Sequence, residues 1–423
     1  MSQFTDILRN RNFFLLWLGQ IVSQLGDRLN QMALIALVYS RTPGSALSLA
    51  KTISFTIIPV FIIGPIAGVY VDRWDRRRTM YLADLIRAFF VFLIAAIFIE
   101  QGLGWIYLAI FLIFSVGRFF VPAKMAIIPE IVSQQHLVIA NSLVHTTGMI
   151  AAVVAFGISG IVVERLGPQG GFYLDALSFL FSAFCIFLLT TKTNSYIELS
   201  CLSTDIVHAL KDSVMIKKSV LRDIKEGLIY FLNNQKLLIT AIIIFFLWSA
   251  VGSIYAVIIV FIQKTLGSAT KDLGLLIMFL GSGLFGGSLM YGRMGQNLCP
   301  YKTIFYSLIT SGIMLVVFTL IVASTRSFAW AGILAVLLGV IVSPIMIATN
   351  TIVHVVSDKN MLGKTFSSLE IIIHLGFIIC MFVSSILAER ITAQNILITT
   401  GIITTLIGTI QLIIFNKKRW LLF

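Results

Sequence analysis

Charge is what this chain most lacks. Only 12% of its 423 residues are Asp, Glu, Lys or Arg, whereas a soluble globular protein carries about a quarter. With 58% hydrophobic residues, that shortage excludes a soluble fold and implies a polytopic membrane protein. Cysteine is scarce as well: Cys185, Cys201, Cys299 and Cys380 show no metal-ligand spacing, so no zinc site, bound metal or disulfide framework is implied. There is no Gly-x-x-x-x-Gly-Lys loop, which excludes a built-in ATPase of the P-loop type, and no nucleophile–base constellation to suggest an enzyme. No small-residue cleavage site follows the first apolar stretch. That stretch is also too long for a signal-peptide core, so it reads as a retained span. Acidic residues are fewer than basic ones, 18 against 31, for a net charge of +13. Such an excess can mark nucleic-acid binding, but its distribution here follows membrane topology instead.

Stretches of about 20 apolar residues can cross the hydrocarbon core. Twelve are present, over roughly 13–39, 47–71, 79–99, 104–122, 139–163, 170–191, 237–262, 272–291, 303–323, 328–350, 366–387 and 394–415. With the N-terminus in the cytoplasm, 21 of the 31 Lys and Arg fall inside, seven outside, and Arg28, Arg87 and Arg118 within spans. That bias places both termini in the cytoplasm of a cell-membrane protein. The longest polar interval bisects the spans six and six. The expected architecture is an all-α membrane protein of twelve transmembrane helices in two pseudo-symmetric six-helix bundles. An N-terminal bundle over 1–192 and a C-terminal bundle over 237–423 are joined by a cytoplasmic linker, 193–236. Within the linker, 220–232 suits an amphipathic helix lying at the membrane interface, or a plain connection between the halves.

The few charges inside spans are the candidates for function. Asp27 sits near the middle of the first span, where a charge costs at least ~2.5–3.5 kcal/mol on insertion scales. Steps of three and four residues put Gln20, Gln24, Asp27 and Gln31 on one helical face, as in a helix lining a substrate path. Asp27 is thus a candidate for carrying a proton or meeting a cationic substrate. Alternatively, it forms an internal ion pair with Arg28 or Arg87. Asp84 and Arg87, one turn apart in span three, and Arg118 in span four suit a structural or gating ion-pair network. Glu370 and His374 in span eleven are either a protonatable pair facing a cavity or a polar contact between helices. Asp175 in span six reads as a packing contact. Trp248 and Tyr255 are candidates to line an apolar cavity.

Between spans two and three runs Gly68-Val-Tyr-Val-Asp72-Arg73-Trp-Asp-Arg76-Arg77-Arg78. This resembles the signature loop of the major facilitator superfamily, G-x-L-a-D-R-x-G-R-[RK], with Gly68, Asp72, Arg73, Arg76 and Arg77 matching. Tyr70 replaces the leucine and Asp75 the second glycine. Phe120-Val-Pro122-Ala123-Lys-Met-Ala126-Ile-Ile-Pro129-Glu130 and Leu137-Val-Ile-Ala140-Asn141 are similar to the drug:proton antiporter branch of macrolide-efflux proteins and the enterobactin exporter. So are Asp84-Leu-Ile-Arg87, Asp175-Ala-Leu-Ser-Phe179 and Asp223-Ile-Lys-Glu-Gly227. The antiporter motif of span five, ending G-P-x-x-G-G, is matched only by Gly148 and Gly157-Ile-Ser-Gly160, without the proline.

The resemblance implies a monomeric secondary active transporter in the bilayer. It would export a drug-like or siderophore-like small molecule by alternating access, driven by the proton gradient and without a cofactor. The signature Asp72 would then bond near the start of span eleven. An importer, or a lipid or metal carrier of the same fold, is the alternative. A non-transporting receptor has no use for an expensive mid-bilayer polar stripe.

Overall fold

The computed structural model describes residues 7–71, 74–190, 229, 235–295, 298–356 and 362–417. Asp72, Arg73 and nearly all of the 193–236 interval lie outside them. In the hydrocarbon core every backbone N–H and C=O must find an internal partner, and continuous helices are how these apolar runs meet that demand. Helix α1 spans Arg11–Arg41. Span two is split into α2, Ala46–Ile62, and α3, Gly64–Val71. The interruption falls just before Pro65, which has no N–H to continue the ladder. Helix α4, Arg76–Leu93, starts where Asp75 accepts from the Arg78 N–H at 2.7 Å, a side-chain cap. It runs on through a π-helical turn, Ile94–Phe98, where the Ala95 carbonyl accepts from Gln169 Nε2 at 3.0 Å. Helix α5 covers Leu103–Ile131.

Helix α6, Leu137–Phe187, is long enough for two spans and is broken at Gly167 (φ 74°, ψ 174°). Only glycine adopts that φ without a Cβ penalty, and Pro168 then opens the returning arm. The two arms, 137–166 and 168–187, correspond to spans five and six. Helices α7 (Gln235–Leu266), α8 (Lys271–Met294), α9 (Pro300–Thr325), α10 (Phe328–Val356), α11 (Leu362–Arg390) and α12 (Ala393–Lys417) follow as spans seven to twelve. Among the described residues nine helices are long and apolar enough to cross a membrane, with both arms of α6 counted as one. The polar residues of α1 and the division of α2 from α3 account for the others. The fold is that of a twelve-span, all-helical membrane protein.

Contacts divide the chain into two compact units. One comprises Met1–Leu37 with Thr52–Arg222, the other Val38–Lys51 with Asp223–Phe423. The turn after α1 therefore groups with the second unit, where Ser45 Oγ donates to Glu389 Oε1 at 3.0 Å. In the first unit α4 packs between α5 and α6, and Phe13, Leu16, Met80, Phe120, Ile127 and Ile186 form its apolar core. In the second unit α8 meets α10, α7 meets α11 and α9 meets α12. The α8–α10 approach needs glycine. A Cβ on Gly283 would run into the Val336 carbonyl, and one on Gly339 into the Leu280 carbonyl.

Candidate functional site

In the first unit Asp27 of α1 and Asp84 and Arg87 of α4 come together over Phe179 of α6. Asp27 Oδ1 on α1 accepts from Arg87 Nη2 on α4 at 2.7 Å, within the range of a good charge-assisted hydrogen bond. The other arm of the same guanidinium, Nη1, stands 3.4 Å from Asp84 Oδ1, one turn back. Beneath it lies the Phe179 ring of α6, 3.9 Å from ring centroid to Arg87 Cζ. Such a face stabilises a cation that has been taken out of water. Exposure grades across the set: the side chain of Asp27 is 41% exposed, Arg87 12% and Asp84 fully buried. Ser182 stands beside Asp84, yet neither its hydroxyl nor Asp84 Oδ2 has a hydrogen-bond partner among the described residues. Arg87 Nε also lacks one.

A second carboxyl lies under the same stretch of α1. Asp175 is fully buried on α6, and its Oδ2 accepts from Asn30 Nδ2 at 2.6 Å. Its Oδ1 accepts from Ser178 Oγ at 3.3 Å. Gly26 makes this possible, since a Cβ there would overlap Ser178 Oγ and crowd Asp175 Oδ1. The sequence pattern presented Asp175 as packing alone and gave no partner for it. The available signal was the i, i+3, i+4 spacing of Asp175, Ser178 and Phe179 opposite a glycine next to Asp27. Arg28 bonds Gln31 Oε1 at 3.1 Å and lies over the Phe156 ring at 4.7 Å. Of the two partners expected for Asp27, the described ion pair is with Arg87.

The remaining stripe residues pack along α1. Gln20 is buried, Gln24 lies against Gly148 of α6, and Trp17 Nε1 donates to Thr147 Oγ1 at 2.9 Å. Arg118 is half-buried on α5, next to Gly117, which faces the Arg87 guanidinium. In the second unit, His374 Nδ1 bonds the Glu370 backbone carbonyl at 2.8 Å, one turn back along α11. Trp248 packs against the Ala241, Ile244 and Leu369 cluster, and Tyr255 meets Phe377 edge-on at 5.5 Å. No group of three or more His, Cys, Asp or Glu suited to a metal ion occurs among the described residues.

Ionisable groups inside membrane spans are costly and mark candidate substrate or ion paths, and comparison with known proteins gives the family. The profile of the Major Facilitator Superfamily matches residues 16–369. The chain belongs to the major facilitator superfamily. It is 25% identical over 365 residues to the uncharacterized MFS-type transporter YkuC of Bacillus subtilis, covering 85% of this chain and 81% of that one. It is 23% identical over 397 residues to macrolide efflux protein A of Streptococcus pyogenes, with 92% of each chain covered. Among solved structures, a bacterial homologue of the iron transporter ferroportin superposes with a TM-score of 0.69 at 14% identity, covering 96% of this chain and 99% of that one.

In this transporter the arginines of the signature loop fasten the ends of the first unit's helices. Arg76 Nη1 donates to the Ala126 carbonyl at 3.1 Å and to Glu130 on α5. Arg77 Nε donates to the Ile186 carbonyl at 3.3 Å and Nη2 to that of Phe187. Ile186 and Phe187 supply last-turn carbonyls of α6, at a helix end that favours a cation. Gly68 lies within α3.

Proposed function

We propose that this major facilitator transporter is a proton-driven exporter of a drug-like or siderophore-like small molecule, working by alternating access from the cell membrane. Both termini are cytoplasmic and the unit of function is the monomer. The observation that carries the proposal is the half-exposed Asp27 paired with Arg87 over the buried Asp84. Ionisable groups that are costly in hydrocarbon are kept where they move charge, and proton relays are built from such carboxylates. The name of macrolide efflux protein A, similar over 92% of the chain, supports the export direction.

The test uses inverted membrane vesicles acidified inside and a panel of drugs, siderophores and lipids. Export appears as uptake of at least one compound that stops when nigericin collapses the pH gradient. Uptake indifferent to that collapse would overturn proton coupling, and the absence of any flux across the panel would overturn the substrate class.

A further inference from the structure

Resting on that exporter reading, we propose that the first-unit cluster exchanges one cationic substrate group for one proton, with Arg87 as the moving part and Asp84 as the proton's seat. Four features of the geometry support this. A single guanidinium bridges two carboxyl groups but bonds them unequally, 2.7 Å to Asp27 and 3.4 Å to Asp84. Asp84 is buried completely and one of its oxygens meets no donor. An ionised carboxylate left so is costly, whereas a proton on that oxygen removes the charge and makes the oxygen itself a donor, with Ser182 beside it. Asp27 is the member of the set that an arriving solute meets first, being 41% exposed against 12% for Arg87.

The exchange balances. A cationic nitrogen on the substrate pairs with the Asp27 carboxylate and replaces the Arg87 Nη2 hydrogen bond. The freed guanidinium slides over the Phe179 ring and closes on Asp84, from 3.4 Å to an ordinary charge-assisted length of ~2.8 Å. The Asp84 O–H bond breaks and its proton leaves to water. One positive charge enters as one leaves, so the net charge of the cluster is the same before and after. Facing the exchange are Arg28 and Asp27 on α1, Lys124 on α5, and Asp175 on α6. Lys124 is within electrostatic reach of Asp27 and Asp84, and Arg28 is held by Gln31 and Phe156. Asp175 is tied to Asn30 and Ser178. The sign suits export: a cytoplasm of higher pH favours proton release with substrate capture, and an acidic exterior reloads Asp84 and expels the cation.

The experiment uses tetraphenylphosphonium, a permanent cation that contributes no proton of its own, and the whole purified protein in weakly buffered detergent. Wild-type protein should release close to one proton per cation bound. Its affinity should rise roughly tenfold per pH unit across the range in which Asp84 gives up its proton, the slope of a one-for-one exchange. Asp84→Asn, which keeps the size of the protonated acid but cannot ionise, should release none and bind with a pH-independent affinity. Asp27→Asn should lose cation binding. Binding to wild type without proton release, or no binding of the cation at all, overturns the proposal whether or not the variants fold. Release that persists in Asp84→Asn moves the proton's seat elsewhere and overturns it as well. Vesicle uptake of a cationic drug that still follows the pH gradient in Asp84→Asn would sink this exchange while leaving the exporter intact. Loss of all gradient-driven flux in wild type is the separate failure of the exporter.

Discussion

The smallest residue in the site governs how closely its charges can assemble. Gly26 lets the Asp175 carboxyl and the Ser178 hydroxyl lie against α1, where a methyl group would overlap both. Gly26→Ala should therefore force α1 and α6 apart at the level of Asp27, at a cost of ~1–3 kcal/mol as for other overpacked interiors. Thermal unfolding of purified protein should show a lowered midpoint, and pH-gradient-driven uptake should fall with it. An unshifted midpoint would show that the helices accommodate the methyl group. Asp27→Asn has a different signature. The amide keeps the shape but cannot balance Arg87, so the fold should survive while proton-driven transport is lost. If uptake in inverted vesicles still follows the pH gradient, coupling does not run through Asp27, Arg87 and Asp84, and Glu370 and His374 are next to be substituted. The place of Asp27 within a span was legible in the sequence because a charge amid apolar residues is conspicuous. Its partner was narrowed to Arg28 or Arg87, but the sequence did not choose between them. A period of 3.6 identifies a face, but not which helix that face meets or whether it looks onto water, and Gln24 against Gly148 shows a polar stripe packing on another helix.

At the scale of helices, the spans were legible because hydrocarbon thickness dictates their length, and α7 to α12 fall where the apolar runs placed them. The local breaks were less so. The interruption between α2 and α3 goes with Pro65, which the apolar run concealed, and the π-turn after Leu93 depends on backbone hydrogen bonds that composition does not encode. The signature loop shows a similar division. Its cationic character was evident, but its work within the first unit is to close helix ends, with Arg77 donating to the carbonyls of Ile186 and Phe187. Arg77→Ala should leave those carbonyls to water and remove a cation from a helix C-terminus, a loss of about 0.3–1 kcal/mol in exposed settings. Amide hydrogen exchange should speed up across the last turn of α6 while the 168–180 stretch stays protected. Exchange unchanged at that end would mean that the Arg77 hydrogen bonds hold nothing in place.

For the whole molecule, the balance of charge within the site determines which part of the proton-motive force can drive it. If each cycle carries one monovalent cation out and one proton in, no net charge crosses the bilayer. Membrane voltage then does no work on the cycle, whereas each unit charge moved without compensation would gain about 2.3 kcal/mol per 100 mV. The transporter-dependent part of tetraphenylphosphonium export, above that of protein-free liposomes in which this lipophilic cation follows voltage unaided, should accordingly respond to an imposed pH gradient and ignore a potassium diffusion potential set with valinomycin at equal pH. A dicationic compound, presenting one nitrogen to Asp27 and carrying a second charge out with it, would behave oppositely, because each cycle would then move charge and voltage would act on it. The pair of substrates makes the measurement self-controlled, since both report on the same protein in the same vesicles. Voltage-driven export of the cation would show that more than one proton returns per cycle. Asp175, the other fully buried carboxyl beneath α1, would then be the first residue to substitute as the seat of the second.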